Sequence, residues 1–337
     1  LQPVGLPLAK SIDRDLHRGI VTTFDSETGE ARQRMALLRT RGNSSMQYPK
    51  AAYLMKFVDL KTGGEESASL LGLSENTEYA LNSLYEDGTK IRDFASLSLW
   101  NAIRGDARDT ARLYAIDFVY AEVFVGGVYA GLYGFQESTN LASFGLANTG
   151  NISLFNPDSH RIPQMDTLPA SGEEWDEINL EETTQEKPWT FLGSALENMF
   201  YREGDDFQSE LFQSFDRDSF VDYTIWCNLL YASDNLWKNM LLLADQRDPA
   251  NGKIFPVPWD SDQSFGLIWD GSMPLQVYED AARADQPLPE AGPLPLGKIW
   301  EYDVDGFRHE VAARWFSLRQ GLLREDVRHG RLLLHYQ

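Results

Sequence analysis

Residues 232–266 read ASDNLWKNMLLLADQRDPANGKIFPVPWDSDQSFG, with two short apolar runs, NMLLLA and KIFPVPW, around Asp248-Pro249 and Asn251-Gly252. Pro and Gly beside Asp and Asn supply turn chemistry, so the stretch is predicted to fold as a hairpin. An antiparallel hairpin returns its far end to its near end at a strand spacing of about 5 Å. Asn239, before the hairpin, and Asp260, after it, are therefore expected to be neighbours in space.

That meeting has a chemical reading. Phosphoryl transfer needs metal ligands converging on nucleotide phosphates and an Asp facing the acceptor hydroxyl. Asp234 and Asn239 follow an apolar helix at the separation used by kinase catalytic loops. Asp234 reads as the base or orienting group, and Asn239 and Asp260 as metal ligands. Asp262, in WDSDQS, reads as a second ligand or as a group supporting the first. Mg²⁺ takes few protein oxygens and fills its octahedron with water and phosphate. A lone D-x₄-N arises easily in an acidic chain, and WDSD can also be a turn that caps the next segment; the hairpin ties the two together.

The second informative stretch is RTRGNSSMQYPKAAYLMKF, residues 39–57. RMALLRTR (34–41) and AAYLMKFV (51–58) read as strands around a small-residue turn. Tyr53, Met55 and Phe57 share one face of the second strand; Ala52, Leu54 and Lys56 share the other. Backbone N–H groups of Asn43, Ser44 and Ser45 can cradle oxygens. Arg39 and Arg41 offer planar forks to phosphate, and Lys56 can reach α/β-phosphate oxygens. The plainer reading of Lys56 is an exposed strand lysine. Lys50, the competing lysine, follows Pro49 and is expected to point to water.

Bulk composition narrows the classes. The chain has 337 residues, 42% hydrophobic and 12% aromatic, enough for a core and for two lobes or one large domain. A formal charge of −21 disfavours nucleic acid and anionic membrane and suits divalent cations or basic polypeptides. Cys227 stands alone in DYTIWCNLLY, which excludes an internal disulfide and reads as a buried, inert thiol. No apolar run is long enough to span a membrane. The chain starts at Leu1, so a removed signal peptide is compatible with it. Histidines 17, 160, 309, 329 and 335 show no ligand spacing. No G-x-S-x-G elbow and no G-x₄-G-K-[ST] loop occurs, and YDVDG at 302–306 lacks the rest of a calcium loop.

The remaining chain is organised as follows. Asp87-Gly-Thr signals a helix start, with Ile91, Phe94, Ala95 and Leu99 as the apolar face of IRDFASLSLWNAI. Residues 117–137 form a hairpin about Gly126-Gly127. Residues 156–188, polar and acidic, read as a long insertion or lid. Helices are predicted over 189–232. A Pro-rich loop, DQPLPEAGPLPLG, precedes a closing helix with residues 307, 311, 315, 318 and 322 on its apolar face.

Several segments together resemble the spore-coat protein H (CotH) kinase family: RTRGNSS, YPKAAYLMKF, LLGL, IRDFA, GGVYAGLYGFQE, DNLWKN, PWDSDQSFG and the closing RW-x-x-LR, in that order. The resemblance runs over roughly residues 30–325. It implies an α+β, atypical protein-kinase-like fold of two lobes. The N-lobe, 1–140, would carry an antiparallel sheet. The mostly helical C-lobe, 141–337, would carry the catalytic hairpin. It implies ATP with Mg²⁺ or Mn²⁺, and phosphorylation of Ser/Thr in a protein. Lys56 matches the nucleotide lysine, Asp234 the catalytic-loop Asp, Asn239 its metal Asn and Asp260 the metal Asp after the hairpin. Glu137 matches a recurrent family Glu, either paired with Lys56 or at the connection between lobes; from the residues alone it can equally be a solvated strand end. Where members often carry two consecutive lysines after the proline, this chain has Lys50-Ala51, and Met46 replaces an aromatic. The family is frequently exported or surface-displayed, which implies an extracellular or cell-surface bacterial protein acting on a Lys/Arg- and Ser-rich substrate. The competing expectations are a non-catalytic scaffold with a vestigial cleft, and AMP transfer in place of phosphate transfer.

Overall fold

The computed structural model describes residues 16–42, 44–105, 115–147, 151–157, 175–177, 187–268 and 295–324. The chain divides into two compact units, one formed by residues 1–90 and 116–147, the other by 91–115 and 148–337. The division is not the single boundary at residue 140 that was expected. Residues 91–115 cluster with the second unit, where the helix they contain buries Trp100 and Ile103 in the core beside its polar residues.

The first unit is built on a six-stranded antiparallel sheet: β1 His17–Phe24, β2 Ala31–Arg41, β3 Ala52–Phe57, β4 Glu78–Asn82, β5 Phe118–Val125 and β6 Val128–Glu137, in the order β1-β2-β3-β4-β6-β5. Alternation decides which face is buried. Tyr53, Met55 and Phe57 join Tyr79, Leu81, Tyr133 and Phe135 in one apolar cluster, with the Tyr79 and Phe135 rings stacked at 5.0 Å. Each large side chain buried in this way contributes about 1.5–3 kcal/mol. Gly126 and Gly127 both take positive φ (59° and 84°) at the β5–β6 turn, the conformation that a two-residue hairpin matching the strand twist requires.

The second unit is mostly helical: α1 Arg92–Gly105, α2 Lys187–Tyr201, α3 Gly204–Ser214, α4 Arg217–Leu230, α5 Pro295–Tyr302 and α6 Phe307–Gln320. It also contains a four-stranded antiparallel sheet of β7 Ile152–Pro157, β8 Trp175–Glu177, β9 Met240–Asp245 and β10 Lys253–Pro258, in the order β10-β9-β7-β8. The predicted hairpin is β9–β10, in register from Met240 opposite Pro258 to Asp245 opposite Lys253. Every residue of β9 is buried, while β10 lies at the sheet edge, where Pro256 and Pro258 cost no ladder bond to a further strand. Residues 156 and 157, expected to open the acidic insertion, instead end β7 and pair with Asp176 and Trp175. Residues 158–174 and 178–186 of that insertion lie outside the described residues, as does most of the Pro-rich loop.

Helix α1 forms where it was predicted, but with a different face inward. Ile91 is exposed, and the buried positions are Arg92, Asp93, Ser96, Leu97, Trp100, Ile103 and Arg104. The polar members bring their own partners. Arg104 donates to Asp222 Oδ2 at 2.8 Å and Arg314 donates to Asp222 Oδ1 at 2.8 Å, all three buried. An apolar-only reading of the face fails because this interior is satisfied by ion pairs. Asp87 makes a local turn by accepting from Thr89 N and Oγ1. Cys227 is fully buried, and burial pushes its thiol pKa well up.

Candidate active site

Asp234, Asn239 and Asp260 come together at the open end of the β9–β10 hairpin. The ladder continues one step past Met240, where Trp259 N donates to Asn239 O at 3.1 Å. The Asn239 amide then bridges the other two residues. Its Nδ2 donates to Asp234 Oδ2 at 2.6 Å and to the Asp260 carbonyl at 3.2 Å. With the nitrogen used twice, Oδ1 is the end of the amide that accepts no hydrogen bond among the described residues. Asp234 and Asn239 are buried to within a tenth of their surface, whereas Asp260 is exposed. Lys238 lies 3.8 Å from Asp234 Oδ2. Asp262 is half-buried, two residues further along.

The donor chemistry suits a hard cation. Mg²⁺ binds through one or two carboxylates and leaves the rest of its shell to phosphate and water. The amide oxygen of Asn239 and the carboxylate of Asp260 are oxygen donors of that kind. Among the described residues no three His, Cys, Asp or Glu side chains are grouped to hold a metal, so an ion here would depend on the amide and on the phosphates.

Asn235, which sequence reasoning passed over, is the splint of this arrangement. It is fully buried, and its Nδ2 donates to Asn239 O at 3.2 Å and to Trp259 O at 2.7 Å, crossing both strands. Its own carbonyl accepts from Tyr223 Oη at 2.8 Å. The start of α1 was missed as well. Asp93 Oδ1 accepts from Ser261 N at 2.9 Å, Arg92 Nε donates to Ser264 O at 3.1 Å, and the hydroxyls of Ser96 and Ser264 are 2.8 Å apart. The signal available in the sequence was polar residues at helical spacing in IRDFASLSLW, flanking the apolar ones.

In the first unit the register places the nominated cations on one sheet face. Arg39 pairs with Leu54, Arg41 with Ala52, and Lys56 with Leu37 and Glu78. Directly opposed residues point to the same side, so Arg39, Arg41 and Lys56 share the face opposite the Tyr53–Met55–Phe57 core. Arg39 and Arg41 are half-buried. Lys56 is ion-paired with Glu65, whose carboxyl pKa the hydrogen bond from Lys56 lowers. Gly42 sits at φ +112°, and a Cβ there would fall 1.9 Å from Ser45 Oγ, so the loop closes only over glycine. Ser44–Gln47 forms one short 3₁₀ turn, Ser45 is half-buried, and Asn43 and the Ser44 side chain lie outside the described residues.

Two expectations are corrected here. Lys50 does not point to water. Its Nζ donates to the Ser83 carbonyl at 2.7 Å and to the Leu132 carbonyl, and lies 4.0 Å from the centre of the Tyr133 ring. Burial first, and then the charge of Lys90, lower its pKa to about 8. Gly131, at φ +116°, leaves the room its chain needs. Glu137 is not a solvated strand end. It is buried, and its two oxygens accept from Ser74 N at 2.7 Å and Asp117 N at 3.0 Å. Desolvation raises its pKa. It ties two loops to the end of β6, while Lys56 takes Glu65 as its partner.

Asp234, Asn239 and Asp260 thus meet at the mouth of one hairpin, joined through a single amide. The model of the CotH kinase protein family matches residues 38–331, and the chain belongs to that family. A search of curated proteins gave no match. No helix among the described residues is long and apolar enough to cross a membrane.

Proposed function

We propose that the protein transfers the γ-phosphate of ATP to Ser or Thr hydroxyls of a protein substrate, with Mg²⁺ or Mn²⁺. The observation that carries this reading is the convergence of Asp234, Asn239 and Asp260 through one amide. Asn239 Oδ1 and the Asp260 carboxylate would hold the ion, which when bound supplies charge neutralisation at the transferring phosphoryl group. Asp262 would ligate a second ion or support the first. Asp234 takes or orients the proton of the acceptor hydroxyl. Arg39, Arg41, Lys56 and the 43–45 loop bind phosphate oxygens, with Lys56 exchanging Glu65 for nucleotide. Glu137 acts on the nucleotide only through the loops it ties.

The net charge of −21 supports a Lys/Arg-rich, Ser-containing substrate, recognised by charge complementarity. Family membership supports an extracellular or surface setting. The test is transfer of labelled γ-phosphate to a basic Ser-rich peptide, with the product weighed. The wild type should add one phosphate per modified site. Asp260→Ala should lose about a thousandfold or more, the several kcal/mol of charge stabilisation a catalytic ion supplies. Unchanged incorporation in Asp260→Ala removes the metal assignment. Addition of AMP replaces the reaction proposed. No Mg-ATP binding by calorimetry leaves a scaffold.

A further inference from the structure

The Asp260 backbone takes a conformation that is uncommon outside glycine, Asn and Asp. Its φ is +49°, a left-handed value that a residue with a Cβ disfavours. On its N-terminal side, Trp259 has both backbone groups fixed, the N–H by Asn239 O and the carbonyl by Asn235 Nδ2. On its C-terminal side, the next N–H, that of Ser261, is buried and is captured by the carboxylate of Asp93. A buried charged acceptor makes a stronger bond to N–H than a carbonyl does.

Asp93 is itself fixed. It is 2% exposed and lies in the first turn of α1. That helix is anchored to α4 by Trp226 Nε1 donating to Ser96 O at 2.8 Å. It grips the far end of the same loop through Arg92 and Ser96 on Ser264. Residues 259–264 are thus suspended between the hairpin and the start of α1, and Asp260 occupies the exposed point between the two supports.

We propose that Asp93 is a positioning residue for the reaction: through the Ser261 N–H it holds the backbone from which the Asp260 carboxylate is presented to the metal. The inference rests on the reading of Asp260 as a ligand. Groups that support metal ligands from behind typically cost about 10–100-fold in metal affinity when removed. Asp93→Leu removes the acceptor with the same number of side-chain heavy atoms, though a larger volume, and Asp93→Asn keeps a weaker, neutral one.

Two readouts on the full chain test this without relying on turnover: Mn²⁺ affinity by electron paramagnetic resonance in the presence of a non-hydrolysable ATP analogue, and amide exchange at Ser261. Asp93→Leu should speed Ser261 exchange and weaken Mn²⁺ binding by about 10–100-fold, with Asp93→Asn between it and the wild type in both. Faster exchange with unchanged Mn²⁺ affinity in either variant overturns the positioning role. If Asp93→Leu loses its melting transition, Asp93→Asn decides by the same pair of readouts. Asp260→Ala separates the two claims. Mn²⁺ binding lost there but unaltered in the Asp93 variants sinks the role of Asp93 alone. Mn²⁺ binding unaltered in Asp260→Ala sinks the ligand assignment and the inference with it.

Discussion

Around Asp260 the backbone groups of residues 259–261 are tied by Asn235, Asn239 and Asp93, whereas Lys56 in the first unit is held by a side-chain ion pair. Lys56 holds Glu65, a side chain 54% exposed, and Arg39 is half-buried on the same sheet face. The contrast fits what each group is proposed to bind. A hard cation demands fixed oxygens, because small displacements cost coordination. Phosphate binding by Arg and Lys tolerates side-chain movement, and an exposed ion pair worth about 0–1 kcal/mol is easily exchanged for it.

The largest expected effect that sharpens this contrast is at Asp234. Asp234→Asn replaces the acceptor of the 2.6 Å bond from Asn239 and removes the proposed base; kcat should fall about 10²–10⁴-fold with nucleotide affinity kept, as measured by single-turnover transfer and calorimetry. An Asn variant with full kcat would break the assignment. Lys56→Ala should follow, with kcat/KM for ATP lower by about a hundredfold, the cost of one lost charge on the phosphates. Gly42→Ala forces a Cβ into Ser45 Oγ at positive φ; strain of about 1–2 kcal/mol should appear as about tenfold weaker ATP binding. Smallest of all, Glu65→Ala should change unfolding free energy by less than about 1 kcal/mol and should not weaken ATP. A large loss there would make the ion pair structural and close the proposed exchange.

Lys50 gives a pH prediction within the same unit. Its folded pKa of about 8 lies below the 10.5 of an ordinary lysine, so between those values the unfolded chain binds more protons. Stability contributed by Lys50 therefore rises as pH climbs from about 8 toward 10.5. Acetylation of Lys50, followed by mass spectrometry of its peptide, should level off near pH 8 while other lysines continue to accelerate. A profile like theirs would contradict the half-buried seat of its Nζ between the Ser83 and Leu132 carbonyls.

How much was legible in the sequence depended on whether the local pattern carried the answer. Period-two alternation in AAYLMKF placed Tyr53, Met55 and Phe57 in the core, and turn chemistry placed Asn239 beside Asp260. Both are local rules. The inward face of α1 was misjudged because Asp93, Ser96 and Arg104 are buried by partners more than a hundred residues away, at Ser261, Ser264 and Asp222. Lys50 was misjudged for a related reason: the carbonyls that draw it inward belong to Ser83 and Leu132, on other strands and loops. Hydropathy reads polar residues as outward, and only tertiary partners reverse that reading.

The central claim, that Asn239 and Asp260 hold one ion, is tested most directly by crystals soaked with Mn²⁺ and an ATP analogue, using anomalous scattering to locate the metal. The account predicts a peak about 2.1 Å from Asn239 Oδ1 and from the Asp260 carboxylate, with phosphate oxygens in its shell. A nucleotide-bound peak that touches neither residue would contradict it.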